Sequence, residues 1–179
     1  VAPTLQPQDE TELVESSEEE VHELATDTSD AVDLAKLNLD FLAALAMPTV
    51  IKYLFPPVFL SIWNWLLEYV NKPRSFPQLA LGLPRGFAKT TVIKLFVLYA
   101  ILFTNKKFIL VISAKASLAE NIIADIVDML EESNIIKLFG DWRLGVEKDT
   151  QALKKFGFRG RTIILAAIGA ATSLRGLHI

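Results

Sequence analysis

The sequence predicts an α/β fold, a parallel sheet flanked by helices and preceded by a smaller helical subregion, and three observations carry that prediction. Hydrophobic residues make up 51% of 179, enough for one domain with a real core. Beyond residue 77 short apolar runs alternate with long helical ones, and the order strand, helix, strand, helix implies parallel strands joined by right-handed crossovers. Before that point, two apolar stretches bounded by prolines read as helices.

Residues 1–30 form an acidic arm with the composition of a disordered segment. Residues 31–72 are the helical subregion. Its first helix is expected from a Ser29 or Asp30 cap to about Met47, where Pro48 stops it; its second starts near Pro57 and ends at Val70. After the linker "NKPRSFP", residues 73–179 hold the sheet. "QLALGL", Gln78 to Leu83, reads as a short buried strand, and "KTTVIKLFVLYAILF", Lys89 to Phe103, as a buried helix. "KKFILVISA", 106–114, has the continuous apolar character of a strand covered on both faces. In 117–133 the apolar residues Leu118, Ile122, Ile126, Met129 and Leu130 mark an amphipathic helix. "ALKKFGFRGRTIILAAIGA" predicts a hairpin turning near Gly157 to Gly160, with Thr162 to Ile168 as a core strand, and "GAATSLRG" a loop of small residues.

The net charge of -3 conceals an asymmetry: Val1 to Ala31 carries ten acids and no base, whereas the rest sets eleven acids against eighteen bases. A basic body suits a polyanionic partner, nucleotide or nucleic acid. There is no cysteine, which excludes disulfides and thiolate metal sites, and two isolated histidines argue against a metal cluster. No secretory leader is visible, because the first residues are acidic. Asp40, Pro48, Lys52 and Pro56-Pro57 interrupt the apolar stretch 37–70, so no run reaches the roughly 18 residues of a membrane span.

The chemistry concentrates in "GLPRGFAKTT", Gly82 to Thr91. The strict phosphate-loop pattern G-x-x-x-x-G-K-[ST] fails at both glycines: counting back from Lys89, Leu83 and Ala88 occupy those positions, and the glycines stand at 82 and 86. The context nevertheless suits a phosphate loop, with an apolar run, a glycine-containing turn and a helix start. A helix N-terminus offers unpaired N–H groups and a positive dipole end, so amides from Gly86 to Thr91 are placed to cradle a phosphate. Lys89 supplies a compact positive charge for β and γ oxygens, and Thr90 a hydroxyl for a Mg²⁺ shell, with Thr91 behind it. Ala88 fits this scheme only with negative φ, since a Cβ penalises the left-handed region. The alternative is an ordinary strand-to-helix turn with a solvent-facing Lys-Thr-Thr.

"LPRGFAKTT", the two apolar helices before it, and "FILVISAKASLAENIIADIVDMLE" and "TIILAAIGAATSLRG" after it together resemble the large subunit of the tailed-bacteriophage terminase, the DNA-packaging motor. That family carries a deviant Walker A motif, Pro-Arg-Gly-x-(Gly or Ala)-Lys-(Ser or Thr), which Pro84 to Thr90 matches through Pro84, Arg85, Gly86, Phe87, Ala88, Lys89 and Thr90. The resemblance covers about Leu37 to Gly176 and implies an ASCE-type P-loop NTPase core. It implies ATP and Mg²⁺ as cofactors, with Lys89 and Thr90 as triphosphate and metal contacts and Arg85 as a γ-phosphate sensor; a guanidinium can fork two phosphoryl oxygens as charge develops. Phe76 and Gln78 are candidates for stacking on and reading the adenine, and Lys115 and Arg175 for contacts with DNA or a neighbouring subunit.

The implied partners are double-stranded DNA, a small terminase subunit, the portal protein and further copies in a ring, with no membrane; the implied location is the host cytoplasm, at the procapsid. Hydrolysis also needs a strand-end Asp for Mg²⁺ and a carboxylate for the water. Asp125 and Asp128 read as the solvated face of a helix, and no apolar strand here ends in Asp-Glu. The expectation is therefore an incomplete core, able to hold phosphates, whose Walker B acids and nuclease domain follow Ile179. Rival readings are a helicase-like or other P-loop NTPase, a non-enzymatic α/β binding module docking through its acidic arm, and a membrane-peripheral protein using residues 37–70.

Overall fold

The computed structural model describes residues 28–50, 54–70 and 80–170. The chain is α/β, with a four-stranded mixed sheet flanked by helices. Helix α1 covers 28–37 and α2 Leu39–Ala46. The sequence predicts one continuous helix here, but Asn38 breaks it. Asn38 is extended, at φ -121 and ψ 116, and its Oδ1 accepts from the Phe41 N–H at 3.0 Å, so it caps α2 instead of continuing α1. Ser29 and Asp30 already lie inside α1 and cap nothing. Helix α3, Pro57–Val70, has the expected bounds, with proline at the first helical position where its missing N–H costs nothing. Asp40 anchors the approach to it by accepting from the Phe55 N–H at 2.7 Å.

Helix α4, Lys89–Phe103, is apolar all round and correspondingly buried. Trp63 of α3 meets it edge-on, 6.2 Å from the Phe96 ring and 5.5 Å from Tyr99. Strand β1, Phe108–Ser113, leads to α5, Ala116–Glu131, then to α6, Ser133–Phe139, and a 3₁₀ turn at Trp142–Gly145. Strands β2, Val146–Asp149, β3, Leu153–Phe158, and β4, Arg161–Gly169, complete the sheet in the order β1-β4-β3-β2.

Only β1 and β4 run parallel, with Phe108 opposite Ile164 and Ser113 opposite Gly169. The β3–β4 and β2–β3 pairs are antiparallel, so the expected parallel sheet is a mixed one. The predicted hairpin is present: Arg159 and Gly160, at φ 50 and φ 76, form its two-residue turn, both in the left-handed region that favoured hairpin turns demand. Gly145 packs so tightly on β3 that a Cβ there would lie 2.0 Å from the Gly157 carbonyl oxygen.

Three further expectations change. Helix α5 packs on β1 and β4 and buries Ile126, Met129 and Leu130 as predicted, but in its first turns Ala119 and Ile123 are buried in place of Leu118 and Ile122, and Leu118 is exposed. On the sheet, Ile109, Val111, Ile163, Leu165 and Phe156 face the core, but the other side of β1 is partly open, with Ile112 58% exposed. Strand β1 is therefore not covered on both faces, and among the described residues it lies at one edge of the sheet. The predicted strand 78–83 is not formed in its described part: Ala80 to Leu83 carry no ladder, and only Leu81 and Leu83 are partly buried. Gly82 and Pro84, which raise backbone entropy and remove a donor, work against extending a sheet there. Gln78 lies outside the described residues.

Candidate functional site

The loop between residue 80 and α4 is built on two positive-φ positions. Pro84 to Phe87 make a reverse turn closed by the Phe87 N–H on the Pro84 carbonyl at 3.4 Å, and Gly86 sits at its third position with φ 82, where type II turns place glycine. No atom comes within 4 Å of where a Gly86 Cβ would be. Ala88 is then left-handed as well, at φ 33 and ψ 26. The requirement that Ala88 keep negative φ is not met: this alanine bears the Cβ crowding that only glycine would relieve at a left-handed position. Left-handed backbone at residue 88 reverses the chain sharply enough for α4 to begin at Lys89, and its first helical bond runs from the Val92 N–H to the Ala88 carbonyl at 3.1 Å.

The first-turn N–H groups of Lys89, Thr90 and Thr91 therefore have no helical acceptor and open toward the exposed loop. Lys89 turns back across it. Its Nζ donates to the Pro84 carbonyl at 2.8 Å and also to the Leu83 carbonyl, so the ammonium bridges the chain entering the loop and the helix leaving it. Arg85 is exposed at the turn and has neither ion pair nor hydrogen bond among the described residues. Phe87 keeps 43% of its surface exposed and stacks on Phe59 of α3 at 6.0 Å, tying the loop to the helical subregion. Thr90 is exposed and Thr91 half-buried.

The structure thus brings Pro84, Arg85, Gly86, Phe87, Ala88, Lys89, Thr90 and Thr91 into one turn and helix start. Phe76, Gln78 and Arg175 lie outside the described residues. Lys115 is exposed at the N-terminal end of α5, directly after β1, and its backbone carbonyl accepts from Leu118 and Ala119.

Asp125 is more than a solvated helix position: its carboxylate pairs with Lys94, one turn beyond Thr90 and Thr91 on α4. Together with Thr91, Asp128, Glu132 and the turn at 47–50, the pair lines a cleft of about 380 Å³ between α2, α4 and α5. Sequence reasoning missed Lys94, although its place three residues after Thr91 puts both on one helix face.

The first-turn amides without helical acceptors are donors of the kind an anion takes, and Gly86 and Lys89 lie in the same turn, with the Lys89 ammonium held by the Leu83 and Pro84 carbonyls. The Thr90 hydroxyl is a single oxygen donor, enough for Mg²⁺ only where phosphates and water supply most of its shell. Among the described residues no group of three or more His, Cys, Asp or Glu is arranged to hold a metal by itself. Nor is any described helix long and apolar enough to cross a membrane. The chain matches no protein-family model, no curated protein and no solved structure.

Proposed function

We propose that this chain is the ATP-binding part of a P-loop motor of the terminase large-subunit kind, in which nucleotide binding and hydrolysis drive double-stranded DNA into a procapsid. The observation that supports it most is the loop itself: a turn with Gly86 in the left-handed region, leading directly into α4 with Lys89 at the first helical position and folded over the loop. On this reading the Lys89 ammonium leaves the carbonyls of Leu83 and Pro84 for the β and γ oxygens, and the amides of the first turn take the β-phosphate. Arg85, exposed and without an ion pair among the described residues, neutralises charge that develops on the transferred phosphoryl group. Thr90 would hold Mg²⁺, whose chemistry is to neutralise the phosphates and orient them. Activation of the water falls to a carboxylate other than Asp125, which is engaged by Lys94.

Mg-ATP should raise the unfolding temperature of the chain, and Lys89→Ala should abolish that rise. At about 100 times its dissociation constant a ligand adds about 2.7 kcal/mol, several degrees for a protein of this size. Because Lys89 also ties down two loop carbonyls, the quantity to compare is the ligand-induced shift within each variant, not the midpoint of the variant alone. A second reading, a non-enzymatic α/β binding module, draws on the left-handed Ala88 and on the Lys89 ammonium being satisfied within the protein. It expects no nucleotide-dependent shift in either form.

A further inference from the structure

At the end of α4 away from the loop, four basic residues meet with no acid paired to them among the described residues. Arg159 stands in the turn of the β3–β4 hairpin and Arg161 directly follows it, and Lys106 and Lys107 lead into β1, whose start pairs with β4. The Lys107 carbonyl accepts from the Ile164 N–H at 2.7 Å, which fixes the lysine pair beside the hairpin. None of the four enters an ion pair among the described residues, whereas Lys94, Arg143, Lys154 and Lys155 all do.

Both arginines are tied to the end of α4. Arg159 donates Nη1 to the Leu102 carbonyl at 3.2 Å and lies 5.5 Å over the Phe139 ring, and Arg161 donates Nη2 to the Ile101 carbonyl. These bonds satisfy carbonyls that the end of α4 leaves without partners. They use one donor from each guanidinium, which has five. Arg161 Nε is buried and has no acceptor among the described residues. Burial first, and the charge of Arg159 second, pull the Arg161 guanidinium below the ordinary arginine value, as expected of a cation short of a counter-charge. Residues 157–162 also line a shallow cleft of about 340 Å³.

We propose that this hairpin tip, with Lys106 and Lys107 beside it, is a binding site for the phosphodiester backbone of duplex DNA. Charge spread over the starts of two adjacent strands suits a row of phosphates better than one small anion, and planar arginine forks fixed by α4 are arranged in advance for phosphate oxygens. The choice of DNA as the polyanion rests on the function proposed above; the cations and the cleft do not. Helix α4 then carries a nucleotide loop at its first residue and a DNA contact at its last turn, roughly 19 Å apart along the helix.

The test is fluorescence anisotropy of a labelled random-sequence duplex, titrated with the full chain over a range of potassium chloride concentrations and without nucleotide. Lys106→Gln/Lys107→Gln, whose side chains are exposed and make no ion pair among the described residues, and Arg159→Asn, since asparagine tolerates left-handed backbone, are compared with the parent by affinity and unfolding midpoint. The expected result is affinity about tenfold weaker in the lysine pair, with the salt slope reduced by about 0.9 for each phosphate that the variant no longer neutralises. Lys89→Ala should bind the duplex as the parent does. An unmoved affinity and slope in the lysine pair, no binding by the parent, or tighter binding to phosphatidylserine vesicles than to DNA would each overturn the assignment. If nucleotide fails to stabilise the chain while duplex binding follows these variants, the phosphate-loop reading falls and this one stands.

Discussion

At the scale of single residues, Ala88 separates a strained loop from an ordinary one. A left-handed L-residue costs roughly 1–2 kcal/mol, part of which glycine returns as greater freedom in the unfolded chain. Ala88→Gly should therefore stabilise the protein by about 0.5–1 kcal/mol, a rise of roughly 1–4 °C in unfolding temperature for a chain of this length. The same change restores a glycine directly before the lysine, where the strict phosphate-loop pattern has one. Nucleotide affinity should accordingly be kept or strengthened. A fall in thermal stability would mean that residue 88 is not left-handed in solution. Ala88 is exposed, so the twist is set by the backbone that leads into α4 and not by packing of its side chain.

At the scale of elements, helices with strong punctuation are legible in the sequence and short apolar runs are not. The bounds of α3 and α4 follow from Pro57 and from the long apolar run after Lys89, and the hairpin follows from Arg159-Gly160 between two patterned arms. Apolar periodicity continues through Asn38 and hides it as a cap, although asparagine before an apolar stretch is a start signal. The reverse holds at 78–83, where apolar character suggests a strand and Gly82 and Pro84 argue against one. Helix α6, the 3₁₀ turn and β2 have no periodic signal strong enough to place them; Gly140 at φ 96, closing α6, is the one mark available. Of the candidate site, the loop residues can be grouped from sequence alone, but the backbone twist at Ala88 and the inward turn of Lys89 cannot, since both depend on how α4 meets the loop. Removing the Asn38 cap tests the break it creates. Asn38→Ala should cost about 1 kcal/mol, whereas Asn38→Gly should cost only a few tenths, read from urea midpoints at constant slope. Equal losses would mean that the side-chain bond to Phe41 does not hold α2.

At the scale of the molecule, α4 joins the parts. Its first residue closes the loop, its middle packs on α3 and α5, and its last carbonyls hold Arg159 and Arg161 of the hairpin. A helix shared this way should make the helical subregion and the sheet unfold as one unit rather than as two domains. Two tryptophans sit in different parts and can report on it: Trp63 lies between α3 and α4, and Trp142 packs on Phe156 of the sheet at 5.0 Å. Both are fully buried. In a Trp65→Phe background, Trp63→Ala should remove about 3–5 kcal/mol by opening a cavity against Phe96 and Tyr99. It leaves Trp142 as the only tryptophan. If α4 couples the layers, the fluorescence of Trp142 and the far-ultraviolet circular dichroism fall together at the same lowered denaturant midpoint. If Trp142 keeps the parent midpoint while helical signal is lost early, the sheet stands alone, and a change at the loop has no packed route through α4 to the basic hairpin.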